Sequence, residues 1–294
     1  MTTSTALRIG MAMWSHHHWQ DSVYGGYAAT TERLARYAQV FNSVEGNTSF
    51  YATPLQTVAA DWAAAVPASF RFTFKLPQTI THQLQLRHCR DELRAFFDAM
   101  APLMPLTGMW QIQLPAAFGP AALPQLQAFL PWLPQGLTLG VEVRHPAFFA
   151  KGQAETQLNR WLVSEGVNRI IMDSRPVFAA DADNPVIREA QRKKPRVPVH
   201  AIATAQQPVV RFIGQLDLDN SERLFTPWLA KLSQWLDEGR TPYLFVHTPD
   251  NIAAPQLAAR LWQSLSDYRL NHGLSPLRAL TLPHTERPQL HLFN

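Results

Sequence analysis

A chain of 294 residues with 46% hydrophobic and 16% charged residues has the composition of a well-cored globular protein, not of a disordered or fibrous one. Its one cysteine, Cys89, excludes an intrachain disulfide and any cysteine-rich zinc or iron–sulfur centre. A formal net charge of +4 leans mildly toward anionic ligands and does not by itself demand a polyanion.

The start, MTTSTALRIG, lacks the basic and apolar regions of a secretory leader, and no stretch reaches the roughly 18 apolar residues of a membrane span, so a soluble cytoplasmic protein is expected. Eight short runs rich in β-branched and aromatic residues then follow one another: Leu7–Trp14, Val40–Thr48, Arg71–Pro77, Gly108–Pro115, Leu137–His145, Asn168–Arg175, Pro208–Gly214 and Tyr243–Pro249. Amphipathic helices are predicted between them. The first covers Thr30–Gln39 with Thr31 as N-cap, and the second starts beside Pro54 and ends near Ala65 before Pro67. Further helices are expected at Asp91–Ala101, Pro120–Leu133, Thr156–Glu165, Ser221–Asp237 and Pro255–His272. Strands alternating with helices predict parallel pairing, and eight units predict a single-domain (β/α)8 TIM barrel over residues 1–294.

Two regions depart from the rhythm. Residues 177–207 form a long insertion with a basic run from Arg192 to Arg196, expected over the barrel mouth. Residues 276–294, with Pro283 and Pro288, are expected to be an irregular tail.

A charge inside a strand covered on both faces is costly unless it sits at the wet carboxyl end or is paired. The ionisable residues do come late in their runs: Glu45 with Asn47, Lys75, Glu142 with Arg144, Asp173 with Arg175, Arg211, and His247. Gln111 and Gln113 share a face on the fourth run, by the period-two alternation that also pairs Glu45 with Asn47 and Glu142 with Arg144. Glu45, Lys75, Glu142 and Asp173 stand among apolar neighbours, which favours a shared polar site at the mouth over ordinary surface polarity. Such a mixture suits acid/base catalysis, and suits a structural ring of ion pairs equally.

Other features are weaker. The His16-His17-His18 run reads as loop decoration or a substrate contact before a metal site, because adjacent residues point different ways. A set of Glu142, Asp173 and His247 is chemically acceptable for a divalent ion, but spacing cannot test it, so metal and cofactor stay unassigned. Cys89 is expected at a helix start without an activating partner. Trp14, Trp19, Phe50 and Tyr51 either stack on a ligand or pack in the core. The basic run either grips phosphate or forms a solvated face. There is no GxGxxG after a strand, no GxxxxGK[ST], no HExxH and no GxSxG, so no nucleotide-cofactor, P-loop, zincin or serine-hydrolase motif is present.

The segments IGMAMWSHHHW, FNSVEGNTSFY, FRFTFKLPQTITH, WQIQLPAAFGP, GVEVRHPAFFAKG, RIIMDSRP, VRFIGQ and YLFVHTPDN span nearly the whole chain. In this order they make it resemble the bacterial YecE family, domain of unknown function 72. The resemblance implies a TIM barrel with these motifs at one end, and supplies no reaction. Its characteristic residues fall on Trp14, Glu45, Asn47, Phe50, Tyr51, Lys75, Thr81, His82, Gln113, Pro115, Glu142, Arg144, His145, Asp173 and Arg211. HTPDN and AMWSHHHW depart from endings common in the family, which leaves His247 and the His run least supported.

Together these readings point to an enzyme acting on a small anionic substrate, sugar-phosphate-like or carboxylated. Glu142 or Glu45 is then the general base, with Asp173 its partner or a metal ligand and Lys75, Arg144 and Arg211 stabilising negative charge. Trp14, Asn47, Tyr51, His82, Gln113, His145 and His247 are expected to contact substrate. The alternative is a binding protein that holds nucleic acid or a phosphorylated ligand without turnover.

Overall fold

The computed structural model describes residues 7–283, so the part of the expected tail from 284 to 294 lies outside the described residues. Eight strands form one parallel sheet: β1 (Arg8–Met11), β2 (Ser43–Gly46), β3 (Arg71–Lys75), β4 (Thr107–Gln113), β5 (Leu139–Glu142), β6 (Asn168–Asp173), β7 (Val209–Ile213) and β8 (Tyr243–His247). Every predicted run coincides with one strand, β4 starting one residue before its run and the other seven lying within theirs. The ladder runs β1-β8-β7-β6-β5-β4-β3-β2, with helices on its outer face, so the chain is a nearly closed TIM-type barrel.

Side chains close the remaining seam. Asn42 accepts from Ile9 N at 2.8 Å and donates to Leu7 O at 2.9 Å, standing in for a strand neighbour of β1. The Tyr37 hydroxyl accepts from Met11 N and donates to Ser43 O, both at 2.9 Å. The strands approach so closely that a Cβ on Gly10 would lie 1.9 Å from Ser43 O. Only glycine fits there.

The helices are α1 (Arg33–Val40), α2 (Thr48–Tyr51), α3 (Gln56–Ala64), α4 (Arg90–Ala99), α5 (Leu123–Phe129), α6 (Gln153–Ser164), α7 (Arg175–Ala179), α8 (Pro185–Lys193), α9 (Leu218–Asp237) and α10 (Ala254–Asn271). α1 starts later than expected, with Glu32 rather than Thr31 at its N-cap. The continuous helix read over Pro120–Leu133 is interrupted, α5 being flanked by 3-10 turns at Pro120–Ala122 and Leu130–Trp132. Prolines at 124 and 131 account for this, since each lacks an N–H for the i−4 carbonyl.

The 177–207 connection is not structureless. It holds most of α7 and all of α8, where Asn184 Oδ1 caps Val186 N at 2.9 Å and Pro185 takes the first helical position. Ala190 of α8 packs in one apolar cluster with Met172, Val177 and Ile213. An extended strap follows. It is fastened by Ser174 Oγ to Pro195 O at 2.8 Å, by His200 Nδ1 against Glu155 Oε1 at 2.5 Å, and by Thr204 Oγ1 to Val167 O at 2.6 Å. Glu155 is itself held by Arg169 Nη1 at 3.0 Å, so a buried ion pair underlies this anchor.

Ladder register fixes the faces. Val209, Tyr243 and Phe245 lie in an interior cluster with Met109 and Ile170, while Phe212, of opposite parity, packs its ring against Phe225 of α9. Among the described residues no helix is long and apolar enough to cross a membrane.

Candidate active site

The inward parity that carries Met109, Val209 and Tyr243 carries, towards the carboxyl ends of their strands, Glu45, Lys75, Gln111, Gln113, Glu142, Arg211 and His247. All seven are buried, though each is polar. Their cost is met by one another. Arg211 Nη1 donates to Glu142 Oε2 at 2.9 Å; its Nε lies 2.8 Å from Glu45 Oε1, with the N–H directed to Oε2 at 3.2 Å. Arg144 clasps the other Glu142 oxygen through Nη2 at 2.6 Å and Nε at 2.8 Å. Lys75 Nζ donates to Gln113 Oε1 at 2.8 Å, and deeper down Gln111 Nε2 donates to Thr73 Oγ1 at 2.9 Å. Asn47 Nδ2 bridges Glu45 Oε2 at 3.3 Å and Ala12 O at 3.0 Å.

The proton affinities follow from this packing. Burial pushes both carboxyls up, but Arg211 and Lys75 outweigh it at Glu45, and Arg144, Arg211 and Lys75 outweigh it at Glu142, so both stay below the ordinary carboxylate range, Glu142 far below. Burial and the neighbouring Arg211 pull Lys75 down to about 8. His247 is driven well below its usual value by burial and by Lys194, Arg211 and Lys75, and is therefore neutral near pH 7. Its Nε2 has no hydrogen-bond partner among the described residues.

The basic run divides. Arg192 and Lys193 are exposed and both pair with Glu189, at 2.8 and 3.0 Å. Lys194, where the strap begins, is half-buried and turned to the mouth, where Arg211, Lys75, Glu45 and Glu142 act on it. Burial, then Arg211 and Lys75, lower it to about 7. Four cations therefore face two carboxylates. The sequence reading named this run but did not single out Lys194; no local periodicity tells which member of a basic stretch a strap will turn inward.

His82 sits at the rim, on a π-helical turn (Thr79–Gln83) that follows β3. Its imidazole bonds Thr81 Oγ1 at 2.8 Å and meets Phe50 edge-on; burial and Arg144 lower its pKa. Tyr51 is 72% exposed beside Phe50.

Two expected site residues, Asp173 and Trp14, are not brought to the mouth. Asp173 stands opposite Phe212 in the ladder and so faces the helices, where it accepts from Trp228 Nε1 at 2.8 Å and from Arg175 at 2.7 and 2.9 Å. Asp173 therefore lies on the opposite face from Glu142 and His247, so the Glu142, Asp173, His247 metal set is not assembled, and the described residues gather no other three-residue group of His, Cys, Asp or Glu fit for a metal. Trp14 packs against Trp62 of α3 and Phe72, on the outer face of the barrel. His145 caps the turn after β5, its Nδ1 accepting from Ala147 N at 3.2 Å. The His16, His17 and His18 rings lie against one another near Trp19, whose Nε1 donates to Asn251 O at 2.9 Å. Cys89 is buried at the start of α4.

A cavity of about 910 Å³ lies at the opposite, amino-terminal end, among Leu7, Phe41, Phe70 and Trp262, and touches none of the charged cluster.

The chain matches the family described as Protein of unknown function DUF72 over residues 8–279, and belongs to it. It is 51% identical over 257 residues to the UPF0759 protein YecE of two Escherichia coli strains, covering 87% of this chain and 92% of each relative. Crystal structures of DUF72 family proteins share the fold: one from Enterococcus faecalis with a TM-score of 0.68 at 19% identity, covering 88% of this chain and 95% of that one. Another, from Thermotoga maritima, has a TM-score of 0.66 at 20% identity and covers 88% and 99%.

Proposed function

We propose that this member of the DUF72 family is an enzyme acting on a small anionic substrate at the carboxyl end of the barrel. The observation that carries this reading is the surplus of cations there: buried Lys75 and Arg211 with the partly exposed Arg144 and Lys194, against buried Glu45 and Glu142, with no ion pair to Lys194 among the described residues. An excess of positive charge partly withdrawn from water is a costly arrangement that a bound carboxylate or phosphate would relieve.

The roles differ from those expected of the residues alone. Glu142 and Glu45 are each clasped by guanidinium groups and held below the ordinary carboxylate range, so they are poor general bases. Their part is to fix Arg211 and Arg144 in place. Proton transfer falls to groups of lowered proton affinity in the same cluster, the free Nε2 of neutral His247 and the amine of Lys194, while Lys75, at about 8, stays mostly charged.

The nucleic-acid alternative rests on the basic run, and two of its members are already paired with Glu189 while a third turns away from the surface. The small-ligand reading accounts for that division better. Thermal unfolding with inorganic phosphate, and with a panel of small carboxylates and sugar phosphates at constant ionic strength, tests it. Stabilisation lost in Arg144→Ala and Lys194→Ala, with turnover of at least one stabilising compound, is the expected result. No stabilisation by any anion would overturn it.

A further inference from the structure

Asn47 stands at the N-cap of α2, yet its side chain does not cap that helix. Its Nδ2 donates instead to Ala12 O at 3.0 Å and to Glu45 Oε2 at 3.3 Å. Turned end for end, the amide would set its oxygen against a carbonyl and a carboxylate, so these two bonds decide which end is left over. That end, Oδ1, is closed off from solvent and has no hydrogen-bond partner among the described residues.

His247 is the second group of this kind. It shares the inward parity of Tyr243 and Phe245, is 3% exposed, and keeps Nε2 enclosed and unpartnered among the described residues. The two flank one strand. In the ladder of β1 with β8, Met11 stands opposite Val246, so Ala12, whose carbonyl receives Asn47, comes level with His247. The mouth is therefore polarised. Lys75 ends β3 and Arg144 follows β5, while Asn47 follows β2 and His247 ends β8, with β1 between these last two. One side presents positive charge and the other presents neutral acceptors.

We infer that the ligand of this mouth is a polyhydroxylated anion, its charged group held by Lys75 and Arg144 and its hydroxyls received by Asn47 Oδ1 and His247 Nε2. This rests on the small-anion reading above and deepens it, by setting sugar phosphates and sugar acids apart from phosphates and carboxylates without hydroxyls. Enclosed acceptors call for a donor, and the surrounding charge decides its kind. An ammonium would add to cations already in surplus, whereas a hydroxyl donates without charge. A hydroxyl also suits either tautomer of neutral His247, because it donates to a bare ring nitrogen and accepts from an N–H. An analogue without hydroxyls would leave both atoms buried and unpaired, and sites built to bond a hydroxyl reject such analogues strongly.

The test is calorimetric titration of the full chain with matched pairs: glycerol 3-phosphate against propyl phosphate, ribose 5-phosphate against pentyl phosphate, and gluconate against hexanoate, with inorganic phosphate as the bare anion. At least one hydroxylated member should bind tighter than its partner by about tenfold or more. That preference should fall to about threefold or less in Asn47→Leu and in His247→Phe, each shown folded by circular dichroism, and return in part in His247→Gln, which restores an acceptor. Wild-type preferences within about threefold for every pair would show both atoms satisfied by water and would overturn the inference without recourse to any variant, as would a preference undiminished in either variant. Binding of propyl phosphate or inorganic phosphate with no hydroxyl preference would remove the polyol and leave the anion reading standing; no binding by any of these compounds would remove both.

Discussion

Arg211 on β7 meets Glu142 on β5 at 2.9 Å, across the barrel and past the intervening strand β6, while its Nε serves Glu45 on β2. One guanidinium thus ties three non-adjacent strands at their carboxyl ends. A buried pair of this kind is a weak source of stability as a whole, yet its disruption is expensive because the partners remain buried and charged.

Arg211→Met should accordingly destabilise the fold by about 3–5 kcal/mol in urea denaturation. Adding Glu45→Gln and Glu142→Gln should recover part of that loss, since neutral amides bear burial better than stranded carboxylates. A single-variant loss below about 1 kcal/mol would show that the ring is not desolvated in solution.

The lysines and the carboxylates both make stability rise with pH, in separate windows. Lys75 and Lys194 are lowered to about 8 and about 7, so between those values and the ordinary lysine value near 10.4 the unfolded chain binds more protons and stability rises with pH. Glu45 and Glu142 are lowered as well, so their contribution is fully present above the unfolded value near 4.3 and is lost as pH falls through their folded values. Lys194→Met should therefore flatten the alkaline rise and stabilise the protein at neutral pH by about 1 kcal/mol, discounted for partial exposure. Denaturation midpoints measured from pH 5 to 10 check this, and an unchanged slope would contradict it.

Asp173→Ala offers a separation of structure from chemistry. It strands buried Trp228 Nε1 and frees Arg175, so a stability loss of about 1–3 kcal/mol is expected. Anion affinity measured by calorimetry should stay within about twofold, because the carboxylate faces α9. A tenfold loss of affinity would place Asp173 with the mouth after all.

The β1–β2 seam makes the last prediction. Gly10→Ala drives a Cβ onto Ser43 O and should cost upwards of about 2 kcal/mol, by analogy with overpacked cores. Asn42→Ala removes two bonds across the same seam and should cost about 1–3 kcal/mol. Hydrogen exchange at Ile9 and Met11 should speed up in both variants; unchanged protection would mean the seam is held by something else.

Much of this molecule is legible along the chain. Eight apolar runs, each stopped by turn residues, specify eight strands, and alternation puts Glu45 with Asn47, Glu142 with Arg144, and Gln111 with Gln113 on common faces. The start of α8 is not read along the chain: Asn184 before Pro185 is a helix-start signal, but the prolines and charges around it hide the helix that follows. Nor is the face that Asp173 takes. In a strand buried on both sides, as Asn168–Asp173 is, apolar neighbours lie on either face, so parity says which residues share a side but not which side is inside. That choice is made by the ladder partner Phe212 and by Trp228, 55 residues away. The inward turn of Lys194 was decided in the same way, by anchors at Ser174, Glu155 and Val167 that lie far from it in the chain. Local sequence thus determined the elements and the pairing of side chains on each, because backbone geometry repeats every few residues. Closure of the sheet alone decided which of those side chains meet, because a cavity is shared by strands that have no local knowledge of one another.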